Sequence, residues 1–176
     1  MGNNIIIVDL EATCQDKAID KNYPMEIIEI GAVKIKNGKI VDEFQTFVRP
    51  TLTKELTPFC TELTTITWDD LKDAPPFWSA IGDFVWWIED LPIASWGWYD
   101  AKQFKRDCQL HNNDYRFLNG HRSIKHEYIE MGTGYKGRYY LPLVLQHHGL
   151  TFEGTHHRGI DDAKAIAQLY LKLFDK

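Results

Sequence analysis

The chain has 176 residues, 44% of them hydrophobic and 13% aromatic, which predicts a single domain with one sizeable core over residues 1–176. Its formal net charge of −5 counts against broad, sequence-independent binding to duplex nucleic acid, because that affinity depends on Lys and Arg contacts with phosphates. Without a basic N-terminal segment or a long apolar run, the chain is expected to have no signal peptide or membrane span and to be cytoplasmic.

The first predicted element is a strand that ends in two carboxylates. Residues 5–8 are Ile, Ile, Ile and Val, and the run continues through Asp9, Leu10 and Glu11. Residues two apart in a strand project from the same face, so Asp9 and Glu11 lie side by side. The unbroken apolar run indicates a strand covered on both faces, near the middle of a sheet. Two adjacent carboxylates there favour a divalent cation between them, although a surface turn with solvated side chains would also explain a lone Asp-x-Glu.

A hairpin follows this strand. Residues 27–35 predict a second strand, Asn37-Gly38 is the favoured two-residue turn, and residues 39–48 return antiparallel. A short helix is expected around residues 59–63, and Thr67 is placed to cap another over residues 68–71. The pair Pro75-Pro76 begins a longer helix. Its predicted core-facing stripe consists of Trp78, Ile81, Val85 and Ile88.

The next predicted unit is a short strand over residues 91–96 and a helix over residues 100–110. Asp100 opens that helix, either as a functional carboxylate at the strand's carboxyl end or as a simple N-cap. Two residues earlier, Trp98 could stack on a base or pack within its loop. Further helices are expected over residues 123–130 and 141–148. Cys14, Cys60 and Cys108 have no ligand spacing, which indicates reduced thiols rather than zinc ligands or disulfides.

The last predicted helix brings a second set of chemical groups. The segment His156-His157-Arg158-Gly159-Ile160-Asp161-Asp162 precedes a core-facing stripe of Ile166, Leu169, Tyr170 and Leu173. Carboxylates at the ends of several elements, together with a histidine, suit phosphoryl transfer with two divalent ions about 4 Å apart. The imidazole would take the proton of the attacking water.

The order of these groups resembles that of the DEDDh 3′-to-5′ exonucleases, in the DnaQ-like superfamily with the RNase H fold. Asp9-x-Glu11, Asp100 after a short strand, and His157 five residues before Asp162 form the matching pattern. Longer segments resemble the Eri-type branch of that group, which includes KapD-like bacterial proteins. These segments are Val8-Asp9-Leu10-Glu11-Ala12-Thr13-Cys14, Glu26-Ile27-Ile28-Glu29-Ile30-Gly31, Phe47-Val48-Arg49-Pro50, Phe59-Cys60-x-x-Leu63-Thr64-x-Ile66-Thr67 and His157-Arg158-Gly159-Ile160-Asp161-Asp162-Ala163.

The resemblance implies an α/β fold, an RNase H-like mixed central sheet made of an antiparallel hairpin and parallel strands, flanked by helices. It implies two Mg²⁺ or Mn²⁺ ions, one held by Asp9, Glu11 and Asp162 and the other by Asp9 and Asp100. By the same resemblance, His157 is the general base. The terminal nucleotide would meet Glu11 and the backbone at Ala12 and Thr13.

The spacing around the second motif is degenerate, because His156 and Asp161 have the same five-residue step as His157 and Asp162. On a helix Asp162 shares a face with the apolar stripe, whereas Asp161 lines up with Ala165, Gln168 and Lys172 on a face expected to meet solvent. A ligand opposite Asp9 must point towards the sheet, which favours Asp162 and His157.

The expected function is therefore metal-dependent removal of nucleoside 5′-monophosphates from the 3′ end of single-stranded RNA. A DNA-directed or oligoribonucleotide-degrading exonuclease of the same fold is the nearest alternative. A different class of protein would be a nucleic-acid-binding module that has lost catalysis and serves as a partner in a larger assembly. The expected ligand is the 3′ end of single-stranded nucleic acid, with RNA favoured over DNA, and a protein partner is left open.

Overall fold

A computed structural model describes residues 4–174, which form a mixed five-stranded sheet in the order β3-β2-β1-β4-β5. The central strand, β1, is antiparallel to β2 and parallel to β4, and β5 is parallel to β4. The predicted mixed sheet, with β1 near its middle, is confirmed. The strands are β1 (Ile5–Ala12), β2 (Ile27–Lys36), β3 (Lys39–Phe47), β4 (Ile93–Ser95) and β5 (Arg122–Ser123).

The hairpin between β2 and β3 forms where the sequence predicts it. Asn37 and Gly38 have φ angles of 51° and 72°, the left-handed pair that a two-residue hairpin turn requires. Thr67 also begins a helix as expected, with the capping box completed by Asp70. The helices are α1 (Pro58–Thr64), α2 (Trp68–Leu71), α3 (Phe77–Ile88), α4 (Tyr99–Leu110), α5 (Ile124–Glu130), α6 (Leu141–His147) and α7 (Gly159–Leu173).

Alternating residues of β1 enter two cores on opposite faces of the sheet. Ile5 and Ile7 pack with α7, α5 and α6, whereas Ile6, Val8 and Leu10 pack with α3 and α4. Because Asp9 and Glu11 continue the odd-numbered series, they lie on the α7 side of the sheet. The two cores therefore fix which helix the carboxylates face.

Helix α3 forms, but the predicted stripe is partly wrong. Ile81 and Ile88 are buried, whereas the side chain of Trp78 is 66% exposed and that of Val85 is 40% exposed. A neighbouring stripe at the same helical spacing carries three aromatic rings instead of one, and burying these removes more apolar surface from water. The buried face consists of Phe77, Ala80, Ile81, Phe84, Trp87 and Ile88.

Two short elements have no counterpart in the sequence prediction: β5 and a 3₁₀ turn over Arg116–Leu118. Each spans too few residues for a periodic pattern to be read from the sequence. Within residues 4–174, no helix combines the length and apolarity needed to cross a membrane.

Candidate active site

The end of β1 and the first turn of α7 bring together three carboxylates. One oxygen each from Asp9, Glu11 and Asp162 lies within 4.8 Å of the others. Glu11 is 8% exposed, and the other two are half-buried. Carboxylate oxygens are the ligands that hard divalent cations prefer, so this group fits such an ion.

The close approach of α7 to the sheet depends on two glycines. A Cβ at Gly31 in β2 would lie 2.0 Å from the Ile160 nitrogen, and a Cβ at Gly159 would lie 3.0 Å from the Asp9 carbonyl oxygen. Only glycine therefore lets the helix backbone rest directly on the strands at this point. That contact places Asp162 opposite Asp9 and Glu11.

Asp100 comes from a third element, the first turn of α4. It is 4% exposed, and its Oδ1 accepts a hydrogen bond from the Leu10 N–H at 3.1 Å, which ties α4 to β1 between the two strand carboxylates. Asp100 lines the same cavity as the group of three but is not part of the tight cluster. It therefore adds a fourth carboxylate to the cavity wall.

His157 and His156 both line this cavity but differ in how they are held. The His157 N–H donates to Asp162 Oδ2 at 2.8 Å, and its φ of 61° is left-handed. The ring of His156 stacks on Phe152 with centroids 3.7 Å apart, and its Nδ1 lies 3.9 Å from Asp162 Oδ1. Both histidines therefore lie beside Asp162, His157 through its backbone N–H and His156 through its ring.

Asp161 lies outside the carboxylate cluster and stabilises the loop that precedes α7. Its Oδ2 accepts a hydrogen bond from the Thr155 N–H at 2.8 Å. The predicted solvent-facing row of Asp161, Ala165, Gln168 and Lys172 is partly wrong, because Ala165 is 2% exposed. Helix α7 is covered on more of its circumference than a single stripe requires, since it packs against β1, β2, β3 and α6.

Sequence reasoning missed a buried ion pair that holds the histidine loop to the sheet. Glu29 in β2 is 0% exposed and accepts hydrogen bonds from Arg158 Nε at 3.1 Å and from the Gly159 N–H at 3.1 Å. Its other oxygen accepts from Gln45 Nε2 at 2.6 Å. The signal was a charged residue between Ile28 and Ile30 of a predicted strand, since a buried charge needs a partner.

The crowded carboxylates resist ionisation in the absence of a cation. Burial, with Coulombic repulsion from Asp162 and Glu29, raises the pKa of Glu11 to about 9. Burial and repulsion from Asp100 and Asp162 raise the pKa of Asp9 well above its ordinary value. Burial raises the pKa of Asp100 to about 6, although hydrogen bonding by the Ser95 hydroxyl and the Leu10 N–H opposes this. A divalent cation would relieve the repulsion by favouring the charged forms.

The cavity has a volume of about 410 Å³, and Thr13 is not among its lining residues. Glu11 and Ala12 line it, as do Tyr99 and Lys125, which the sequence did not single out. Thr13 is instead 0% exposed. Its N–H donates to the Glu26 carbonyl, and its hydroxyl donates to the Pro24 carbonyl, so neither group points to the cavity. A bulge in the β1–β2 pairing at Glu11 and Ala12 turns the chain inwards here.

Comparison with known proteins identifies the family. A family model described as an exonuclease, RNase_T, matches residues 6–170. The chain belongs to the RNase_T exonuclease family. Its relatives include the 3′-5′ exonuclease eri1 of Schizosaccharomyces pombe, 28% identical over 96% of this chain and 67% of that protein. The probable 3′-5′ exonuclease KapD of Bacillus subtilis is 29% identical over 96% of this chain and 83% of that protein.

The fold of this exonuclease is also shared with a solved structure. The nuclease domain of 3′hExo, a DEDDh family member bound to rAMP, matches with a TM-score of 0.87 and 28% identity over 98% of this chain and 92% of that one. The predicted RNase H-like fold and the enzyme class, a DEDDh 3′-to-5′ exonuclease, are confirmed. The acidic cluster fits the divalent metal on which such enzymes depend.

Proposed function

We propose that this exonuclease removes nucleoside 5′-monophosphates from the 3′ end of single-stranded RNA, using two Mg²⁺ or Mn²⁺ ions. The observation that carries the proposal is the cluster of Asp9, Glu11 and Asp162 oxygens within 4.8 Å at the wall of a cavity large enough for a nucleotide. RNA is favoured because the relatives include the 3′-5′ exoribonuclease 1 of Rattus norvegicus, and because the 3′hExo nuclease domain was solved with a ribonucleotide.

Each site residue has a role in this proposal. Asp9, Glu11 and Asp162 would hold one ion, and Asp9 with Asp100 would hold the second. The ions would supply charge neutralisation at the phosphate and a more acidic bound water. The imidazole of His157 would accept a proton from the water whose oxygen attacks phosphorus, as the bond from phosphorus to the departing 3′-oxygen breaks. That oxygen leaves with a proton from solvent.

Glu11 and Ala12 would form the wall against which the terminal nucleotide lies. Both line the cavity, and Glu11 is close enough to the metal-binding oxygens to meet the free 3′-hydroxyl. A 3′-phosphate would add negative charge in this confined acidic site. Substrates ending in 3′-phosphate should therefore be degraded far more slowly than those ending in 3′-hydroxyl.

The test is one set of incubations of 5′-labelled RNA and DNA of equal sequence. With millimolar Mg²⁺ or Mn²⁺ the RNA should shorten from its 3′ end, and a chelator should stop the reaction. Asp9→Ala should be inactive, because the Asp9 side chain is shared by both ion positions. Faster loss of DNA than RNA would transfer the proposal to the DNA-directed alternative. No shortening of either polymer under any divalent metal would favour the binding-module alternative.

The cytoplasmic location stays a prediction, which cell fractionation would test.

A further inference from the structure

A second concave surface lies outside the active-site cavity and has no part in the chemistry described above. It forms a groove of about 420 Å³ between α4 and the loop that follows it. Trp98, Lys102, Lys105, Tyr115 and His121 are among its lining residues. We call this surface the α4 groove. Its chemistry is a mixture of cations and aromatic rings.

The exposed charge of α4, whose Lys102 and Lys105 line the groove, opposes that of the chain as a whole. Lys102, Lys105 and Arg106 are exposed on α4, whereas the helix's two acids, Asp100 and Asp107, are 4% and 1% exposed. Among residues 4–174, none of these three cations forms an ion pair, and Asp114 in the following loop is paired with Arg116. In a protein of net charge −5, this is an unneutralised positive face.

The aromatic rings of the α4 groove are exposed but held in place. Trp98 is 43% exposed and packs beside the rings of His121 and His126, with centroids 5.5 and 5.6 Å away. Tyr115 is 37% exposed, and Lys105 Nζ lies 5.3 Å from the centre of its ring. Rings that are already fixed lose little conformational freedom when a ligand stacks on them.

Residues of the α4 groove are neighbours of active-site residues along the chain. Tyr99 and Asp100, which directly follow Trp98, line the active-site cavity. Lys125, next to the His126 that contacts Trp98, lines it too. Lys105 lies about 7.5 Å along the axis of α4 from Asp100 and about 140° around it, at 1.5 Å and 100° per residue. A strand whose 3′ end occupies the cavity would therefore reach the groove by passing over the start of α4, at Trp98 and Tyr99.

We propose that the α4 groove binds single-stranded nucleic acid on the 5′ side of its terminal nucleotide. Lys102 and Lys105 contact backbone phosphates, and Trp98 or Tyr115 stacks on a base. Basic surfaces with interleaved exposed aromatics bind single strands in this way, with little dependence on sequence. The inference rests on the proposed function, because it takes the ligand of the cavity to be the 3′ end of the same strand.

The charge contribution is tested with Lys102→Gln/Lys105→Gln and an oligouridylate of about 12 nucleotides, within usual single-strand site sizes. Binding is followed by fluorescence anisotropy with a phosphorothioate backbone and Ca²⁺, so that no turnover is needed. Each phosphate contact with a single strand contributes about 0.7 to the slope of log affinity against log salt. Loss of two contacts should therefore lower the magnitude of this slope by about 1.4. The matched control Lys39→Gln/Lys72→Gln removes the same charge elsewhere and should keep the wild-type slope.

The stacking contribution is tested with Trp98→Ala, which should weaken oligouridylate binding about fivefold or more. Trp98→Phe keeps a stacking ring and should recover most of the loss. Trp86→Ala, at an 84% exposed tryptophan of α3, is the matched control and should bind as wild type. In turnover assays, kcat/KM for an oligouridylate of about 12 nucleotides should exceed that for a dinucleotide. The ratio of the two values should be smaller in Lys102→Gln/Lys105→Gln and in Trp98→Ala, the groove variants, than in the wild type.

The two proposals fail in different ways. If RNA is degraded but the salt slope and the long-substrate advantage are the same in wild type and groove variants, the α4 groove does not bind the strand and the proposed function stands. If no nucleic acid is degraded, the proposed function is wrong. The anisotropy measurement still shows whether the α4 groove binds the single strand. A control variant that loses affinity as much as the groove variants would also overturn the inference, because the effect would be one of net charge.

Discussion

His157 and His156 are adjacent, and both lie beside Asp162, so their roles are separable only by substitution. Replacing a general base typically costs about 10²–10⁴ in rate, and we expect His157→Ala to lose at least that in kcat. His156→Ala should lose much less, since the His156 ring is stacked on Phe152.

The left-handed φ of His157 calls for a further control, because alanine is strained there. Asparagine tolerates this conformation but cannot act as the base, so His157→Asn separates backbone strain from loss of the imidazole. An active His157→Asn together with an inactive His156→Ala would reverse the assignment.

The neighbouring aspartates provide a second comparison. Asp162 belongs to the cluster of three carboxylates, whereas Asp161 binds the Thr155 N–H. Asp162→Asn should abolish metal-supported hydrolysis of RNA. Asp161→Asn should keep most of it, since an amide oxygen can still accept the Thr155 hydrogen bond. Equal activity of the two variants in a steady-state assay would contradict the ligand assignment.

Glu29 is expected to act as a positioning residue for the loop that carries His157. Glu29→Gln leaves the Arg158 guanidinium without its carboxylate, and we expect a loss of roughly 1–3 kcal/mol in the free energy of unfolding. The released loop should also lower kcat and broaden its pH profile. Urea denaturation and pH-dependent kinetics measure the two effects.

The matched control for this substitution is Glu43→Gln. Glu43 also pairs with α7, through Lys164 at 2.7 Å, but both side chains are well exposed. Exposed pairs contribute about 0–1 kcal/mol, so stability and the pH profile should hardly change. Equal effects of the two variants would show that the buried position of Glu29 has no special role.

At the scale of elements, the decisive contact is α7 resting on β2. Gly31→Ala places a methyl group against the backbone of Gly159 and Ile160, which cannot move independently of the helix. Forcing extra atoms into a packed interior costs about 1–3 kcal/mol, and α7 should shift away from the sheet. Because that shift separates Asp162 from Asp9, metal affinity measured by calorimetry should fall together with stability.

Gly82→Ala tests the same substitution where space is open. Gly82 lies on the exposed side of α3, and a Cβ there meets nothing within 4 Å. Alanine in a helix interior is favoured over glycine by up to about 1 kcal/mol, so this variant should be slightly more stable and fully active. A stable Gly31→Ala with unchanged metal affinity would show that the helix can slide without opening the site.

For the whole molecule, the raised carboxylate pKa values predict how stability depends on pH and metal. In the metal-free protein the pKa of Glu11 lies at about 9, above its ordinary value of 4.5. The unfolded chain therefore releases this proton first, and stability should fall as pH rises from 4.5 towards about 9. Metal binding requires the charged carboxylates, so the rise in melting temperature caused by Mg²⁺ should grow across the same range.

Differential scanning fluorimetry with and without Mg²⁺ measures this dependence. Glu11→Gln removes one of the titrating groups and should flatten the response of the metal-free protein. Two outcomes would mean that these carboxylates are ionised without a cation. One is a melting temperature that rises with pH in the absence of metal, and the other is a Mg²⁺-induced rise in melting temperature that becomes smaller as pH increases.

The sequence by itself determined the features that follow from local periodicity and turn chemistry. The two-residue period of β1 placed Asp9 and Glu11 on one face, and the helical period of α7 placed Asp162 on the buried side. The turn Asn37-Gly38 defined the hairpin because both residues accept a positive φ. These patterns predict structure correctly because each depends on residues that are close together in the sequence and little on the rest of the chain.

Only the tertiary structure decided how distant segments meet. The ion pair between Glu29 and Arg158 spans 129 residues, and Thr13 was excluded from the cavity by its hydrogen bonds to Pro24 and Glu26. The α4 groove likewise joins a helix face to a later loop. The physical reason is that a sequence pattern fixes which way a side chain points along its own element. Its partners depend on packing between elements, where close-fitting interiors select one arrangement of backbones.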